Sequence, residues 1–256
     1  MQVLEKGVER RSITRAVSIR AGVAHVWHCL TTTQAIEQWF ADVKGSYEVG
    51  ATCEMHFGDG DFFEVTTLAA VPMISLRWSW RFWGVGGLSD IEFLLAAEDD
   101  SCRVTVVDAG EYSERGVSEL EEGWDDFLGR LRSYAETGKN ARYRWSESIG
   151  AAMVSHRSPL ELWEIVGEPQ WWERGFPTYS VELTANEDDL VARFCSGAWG
   201  GASTTAVMSV VRRLDGVALS VQHGGWLSLP STVQFEERRT VALLWAKALR
   251  ELEQAR

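Results

Sequence analysis

Hydrophobic positions along this chain change period several times, and the changes come in a repeating order. From Ser75 to Gly84 the sequence SLRWSWRFWG alternates almost perfectly. Leu76, Trp78, Trp80 and Phe82 fall on one side of an extended chain, and Ser75, Arg77, Ser79 and Arg81 on the other. Period-two alternation predicts a half-buried β-strand. The runs YEVGATCEMHF, GDFFEVTTLAAV, SDIEFLLAA and CRVTVVDAGEY around it read as further strands, with GDGD supplying turn chemistry. Then the period lengthens. SELEEGWDDFLGRLRSYAE places Leu120, Trp124, Phe127, Leu128, Leu131 and Tyr134 on one helical stripe, with Ser118 and Glu121 spaced as a capping box.

The same order recurs after a break at 137–142, TGKNAR. AVSIRAGVAHVWHCLTTTQAIEQWF, ahead of the first set of strands, reads strand, helix, short helix; IGAAMVSHRSPLELWEIVGEPQWWERG reads the same way. Val26-Trp27 answers to Leu162-Trp163, and Trp39-Phe40 to Trp171-Trp172. Ser158, Pro159 and Glu161 mark a helix start. YSVELTA, DLVARFCSG, TTAVMSVVRRL and ALSVQHGGWL follow as strands, with LDG as a turn. The closing run STVQFEERRTVALLWAKALRELEQ puts Phe235, Ala242, Trp245, Leu249 and Leu252 on one stripe, with Ser231 and Gln234 at its cap. The pattern predicts an α+β protein of two tandem domains, 1–138 and 139–256. Each is a curved antiparallel sheet wrapped around a long C-terminal helix, with two short helices near its start. The apolar face of each sheet and the stripe of its last helix are buried against each other, and a cavity between them is the natural by-product.

Composition narrows the classes of partner. The chain has 256 residues, 45% hydrophobic and 24% charged, as in a soluble globular protein. A formal charge of −12 argues against nucleic acid and against an anionic membrane surface. No apolar run reaches the roughly 18 residues of a membrane span. The start, MQVLEKGVERRS, lacks the apolar core of a signal peptide, which predicts a cytoplasmic protein. Cys29, Cys53, Cys102 and Cys195 are widely spaced and are expected as free thiols in a reducing compartment. His25 and His28 form an H-x-x-H pair with no third ligand nearby, so no metal site is expected. GVGG at 84–87 lacks the pattern of a phosphate loop, and no nucleophile or zinc motif is present. No cofactor is expected.

An ordered set of residues in the first half resembles the START-like, or SRPBCC, helix-grip superfamily, and within it the branch of heat-shock-protein-90 ATPase activator homologues. The set comprises AGVAHVWHCLT, Gln38-Trp39-Phe40, Val49-Gly50, Asp108-Ala109-Gly110 and Glu122-Gly123-Trp124 before the leucine stripe. The second half is a degenerate copy. It has His223-Gly224-Gly225 where the first has Asp108-Ala109-Gly110, and Arg238-Arg239 where the first has Gly123-Trp124. The resemblance implies hydrophobic-ligand binding. Members of the superfamily include lipid carriers, aromatic polyketide cyclases, and proteins of bacterial natural-product clusters, among them enediyne biosynthesis and self-resistance. A tandem copy with 13 tryptophans looks most like the last group. It implies a partner that is a hydrophobic small molecule, of polyketide or polyene type, held in an aromatic-lined cavity. A cyclase- or dehydratase-type enzyme and a co-chaperone-like interaction module are the alternatives.

The candidate ligand-binding residues each carry two readings. Trp78, Trp80, Phe82, Trp83 and Trp124 either line the cavity or pack the core, because the fold uses one face for both. Trp39 and Trp172 are structural plugs or entrance residues. Trp199, in the glycine-rich SGAWGGAST, is a turn anchor or a gate. His223, like His56 on its strand, is a satisfied structural histidine or an orienting acid or base. Arg238 and Arg239 are surface partners of Glu236, Glu237 or Asp215, or else one guanidinium turns inward toward a ligand oxygen. His223 and Arg239 are the catalytic candidates of the enzyme reading.

Overall fold

The computed structural model describes residues 9–112, 114–143, 145–186, 189–213 and 216–254. The first eight residues, and Leu214 and Asp215 of the LDG turn, lie outside the described residues. The first half opens with β1 (Glu9–Ile19), α1 (Val23–Thr31) and α2 (Thr33–Trp39). Six strands follow: β2 (Asp42–Gly45), β3 (Thr52–His56), β4 (Phe62–Val71), β5 (Ser75–Phe82), β6 (Ser89–Glu98) and β7 (Ser101–Tyr112). They form one antiparallel sheet in the order β1-β7-β6-β5-β4-β3-β2. The opening strand thus pairs with the last, from Glu9 opposite Tyr112 to Ile19 opposite Cys102. A bulge between Thr67 and Ala69 breaks the register of β4 with β5, and such an extra residue bends the strands. The long helix α3 (Glu114–Thr137) lies against this sheet with Trp124, Leu128 and Leu131 buried.

The second half repeats the plan with fewer strands. It runs β8 (Ile149–Ser155), α4 (Pro159–Gly167), α5 (Pro169–Gly175), β9 (Ser180–Ala185), β10 (Asp189–Cys195), β11 (Ser203–Arg213), β12 (Gly216–Gly224) and α6 (Gln234–Gln254). The strand order is β8-β12-β11-β10-β9. The molecule is therefore an α+β protein of two tandem helix-grip units. No helix among the described residues is long and apolar enough to cross a membrane.

Helix starts follow the sequence unevenly. Ser158 caps α4 in a reciprocal box: its side chain accepts from the Glu161 amide, while Glu161 accepts from the Ser158 amide at 2.7 Å. The expected box at Ser118 and Glu121 is not an end at all, because α3 begins four residues earlier. At α6, Gln234 turns away from Ser231 and donates to the carbonyls of Leu227 and Leu229.

The two halves share more than a linker. Phe62, Trp83 and Val85 of the first half belong to the core of the second. The alternation of β5 ends at Phe82. Trp83 then adopts φ 52°, a left-handed conformation that is uncommon for a bulky residue, and its ring enters the neighbouring core. Its indole donates to the Gly60 carbonyl at 3.2 Å, and its own carbonyl accepts from Arg250 Nε at 2.7 Å. Helix α6 is consequently covered on two sides. Trp245 faces its own sheet, while Arg238, Ala242, Arg250 and Glu253 lie along a stripe that meets the first half. Gly60, at φ +98°, makes that approach possible: a Cβ there would sit 2.6 Å from the Arg239 carbonyl and 2.7 Å from Ala242.

Candidate ligand cavity

A cavity of about 220 Å³ lies between the first sheet and the middle of α3. On the sheet side stand Phe57, just past β3, Phe63 of β4 and Phe82 of β5. Phe63 and Phe82 are cross-strand partners with ring centroids 5.3 Å apart. On the helix side stand Gly123, Asp126 and Phe127. Tyr143, from the segment after α3, closes one end, with the Arg130 guanidinium 5.4 Å from its ring centroid. Asp61 supplies the remaining wall. Phe57 stacks on Phe127 and meets Tyr143 and Phe63 edge-on, so the rings form a continuous lining. Gly123 is inside a helix, where glycine costs roughly 0.8–1.0 kcal/mol relative to alanine. A Cβ there would touch nothing within 4 Å, so the missing side chain is open space.

The alternating strand divides its aromatics among three places. Trp78 packs on Phe93 and Phe40 and is fully buried. Trp80 is sandwiched between Phe63, at 4.1 Å, and Trp124, at 5.2 Å, one layer behind the cavity wall. Phe82 lines the cavity, and Trp83 lies in the second core. Trp124 donates its indole to Asp108 Oδ2 at 2.8 Å, beside a 2.5 Å bond to the same carboxyl from Tyr112. Burial pushes the Asp108 carboxyl above its ordinary range. The signature aspartate thus anchors the closing helix. Trp39 and Trp172 are buried, and each ties its indole to the helix before it, at Cys29 and Val166 respectively.

In the second half aromatic rings pack the interior around Trp245, and two clefts, of about 230 and 260 Å³, lie instead beside α5. His223 is buried among Phe194, Trp226 and Trp245. Its Nδ1 accepts from the Trp245 indole at 3.0 Å, so the ring proton of the neutral form is on Nε2, which donates to Thr204 Oγ1 at 2.8 Å. Desolvation, with Arg238 adding to it, depresses the imidazole to about 3. Trp245 on His223 reproduces Trp124 on Asp108: an indole of the closing helix on a polar group of the last strand. Trp245, rather than the Arg238-Arg239 pair, therefore stands in the place of Trp124. Trp199 is buried in a single turn against Tyr179, 5.4 Å away, and is not on an exposed loop. Arg239 is half exposed and pairs loosely with Glu236 at 3.7 Å.

Arg238 is neither a surface partner nor a free inward cation. It is fully buried and spends every N–H on the chain itself. Nε donates to Ser146 O; Nη1 to Asp59 O and Asp61 Oδ1; Nη2 to Asp61 Oδ2 and Ser148 O, at 2.7–3.1 Å throughout. Asp59 Oδ2 lies 3.5 Å away. One guanidinium thus faces two carboxylates. Burial raises Asp61 to about 6 against the opposing pull of Arg238. Tyr143, buried nearby, is pushed up to about 12. No local signal in the sequence joins Arg238 to the GDGD turn, since they are 177 residues apart. Among the other lining residues not named as candidates, Phe57 and Phe63 stand at strand ends and Tyr143 in the segment between α3 and β8, where periodicity is silent, while Phe127 is legible only as part of the helical stripe. Of the candidate residues named from the sequence, Phe82 lines the cavity, and Gly123 is legible only as part of the Glu122-Gly123-Trp124 resemblance.

The remaining histidines do not converge. His25 bonds to the Ala135 carbonyl, His28 to Thr32, and His56 to Glu54. Among the described residues no group of three His, Cys, Asp or Glu side chains is arranged to hold a metal. Cys29, Cys53, Cys102 and Cys195 are free thiols.

Two curved antiparallel sheets, each gripping its own C-terminal helix, define a tandem START-like (SRPBCC) helix-grip protein. Residues 20–136 match the family described as activator of Hsp90 ATPase homolog 1-like protein. Among solved structures the chain is similar to DynU16, from the dynemicin biosynthetic locus. The TM-score is 0.81 at 26% identity, over 95% of this chain and 98% of DynU16. CalU16 from Micromonospora echinospora aligns at 28% identity over 49% of this chain and 74% of its own, with a TM-score of 0.44. The Aha1 dimer protein of Colwellia psychrerythraea aligns at 22% identity over 50% of this chain and 98% of its own, with a TM-score of 0.43. No curated protein matches the chain.

Proposed function

We propose that this protein binds a largely apolar small molecule, of polyketide or polyene type, in the cavity of its first half, as part of a bacterial natural-product pathway. The observation that carries this reading is a space of about 220 Å³ ringed by five aromatic side chains and kept open by a glycine inside a helix. Sites that enclose a drug-sized molecule run from roughly 300 to 1,000 Å³. This cavity therefore holds two fused rings, or one end of a longer chain. Burying roughly 200 Å² of ligand contributes on the order of 5 kcal/mol before the losses of association. Likeness to DynU16 along nearly the whole chain supports the natural-product setting. The cyclase-type alternative gains nothing from its candidates, because His223 has both nitrogens engaged and Arg239 is outside the cavity.

Calorimetric titration with 1-naphthalenemethanol tests the reading. Binding is expected in the wild type and is expected to be lost in Gly123→Leu, whose Cβ meets nothing within 4 Å and whose side chain takes up part of the space. Equal binding by the two proteins would mean that the cavity is not the site.

A further inference from the structure

The cavity is aromatic, the charged groups of its lining are carboxylates, and the nearest cations, Arg130 and Arg238, are each already paired with one of them. Its two ionisable groups besides Tyr143 are carboxylates, Asp61 and Asp126, and no lysine, arginine or histidine is in the lining. Asp126 is half exposed at the mouth and held by Arg130 at 2.6 Å. Asp61 is deeper, its side chain 15% exposed, with each oxygen taking one bond from Arg238. A carboxylate oxygen has a second lone pair, so Asp61 keeps acceptor capacity toward the cavity. Arg238 has none to give, because all five of its N–H groups are committed. The nearby cation cannot receive an anionic ligand, and it shares its single charge between Asp59 and Asp61.

Aromatic faces carry partial negative charge and attract organic cations, most strongly where water is excluded. An aromatic lining and a carboxylate that keeps acceptor capacity therefore favour an organic cation over an anion. Resting on the cavity reading above, we propose that the ligand carries a basic nitrogen on its apolar, ring-bearing body, and that the ammonium group is seated at Asp61. Asp61 is the specificity-determining residue of the site, and Arg238 of the second half is the positioning residue that holds it.

The test compares three probes of one shape: 1-naphthylmethylamine, 1-naphthalenemethanol and 1-naphthoic acid. Near neutral pH the amine is expected to bind about tenfold tighter than the alcohol, and the acid more weakly than either. Asp61→Asn should reduce the amine to the affinity of the alcohol and leave the alcohol unchanged. In the wild type the preference should shrink below about pH 6, as Asp61 takes up a proton among Arg238, Asp59 and Tyr143, the charged and titratable groups that face it. If Asp61→Asn does not fold, the ranking of the probes on the wild type decides alone. An alcohol that binds as tightly as the amine, with Gly123→Leu abolishing both, overturns the amine inference and leaves the cavity reading standing. If no probe binds, or binding survives Gly123→Leu, the cavity reading falls and takes this inference with it.

Discussion

The two halves of this chain build the same frame and finish it differently. Both tie an indole of the closing helix to a polar group on the last strand, Trp124 to Asp108 and Trp245 to His223. Both plug the gap beside their short helices with a tryptophan. Above that level the second half packs Trp172, Phe176, Phe194 and Trp226 into its interior. The first half places a glycine on the helix and leaves its phenylalanines lining a space. The difference lies in side-chain volume, not topology. One frame leaves a space between sheet and closing helix where the helix presents glycine, and is packed at that level by aromatic rings in the second half, whose clefts lie beside α5. The second half uses its solidity on the first, because Arg238 and the Trp83 pocket hold the turn that carries Asp61.

Substitutions can break or sharpen this contrast. The largest effect is expected from Arg238→Ala, which leaves Asp59 and Asp61 without their cation. Removing one partner of a buried pair costs about 3–5 kcal/mol, or about 10 °C in Tm for a chain of this size, read by thermal unfolding. An unchanged Tm would show that the halves are independent. Acid comes next. His223 is neutral in the fold and has its proton affinity depressed to about 3 from the ordinary 6.5, so the unfolded chain binds the extra proton first. Its contribution is complete above about pH 6.5 and is lost as the pH falls toward 3. Asp61, raised to about 6, acts in the opposite sense and stabilises most below 3.8. Denaturation midpoints followed from neutral pH down to about pH 4 should fall in the wild type, and less steeply in His223→Gln. A steeper fall in the variant would mean that other groups govern the acid response.

Smaller effects separate the two interiors directly. Ala206→Leu overpacks the filled second core and should cost about 1–3 kcal/mol. Gly123→Leu in the first half should instead stabilise by somewhat under 1 kcal/mol, by helix propensity alone. If both destabilise alike, the cavity collapses in solution and the contrast is wrong. Arg239→Ala, in an exposed pair, should change the unfolding midpoint by less than about 0.5 kcal/mol.

The order of elements was legible in the sequence because periodicity reports which face of each element is buried. The alternation of Leu76, Trp78 and Trp80 gave the correct face of β5. It could not say what lies beyond that face, which depends on Phe63 crossing from β4 onto Trp80 and on where Gly123 falls along α3. The edge strand β2, only DVKG, has no period to read. The expected stripe of α6 was present, yet the helix is buried on a second side by a surface from the other half. Arg238 looked anomalous within an apolar stripe for that reason: its partners belong to a turn that no local pattern connects to it.

The Arg238 clamp also imposes a timetable on synthesis. Asp59 leaves the ribosome 179 residues ahead of Arg238, which at about 5–20 residues per second is a delay of roughly 10–40 s. Throughout that interval the nascent first sheet carries an acidic turn with no counter-cation, and Trp83 has no core to enter. The open container is completed by a helix made 179 residues after Asp59, so translation speed through the second half sets how long the first must wait.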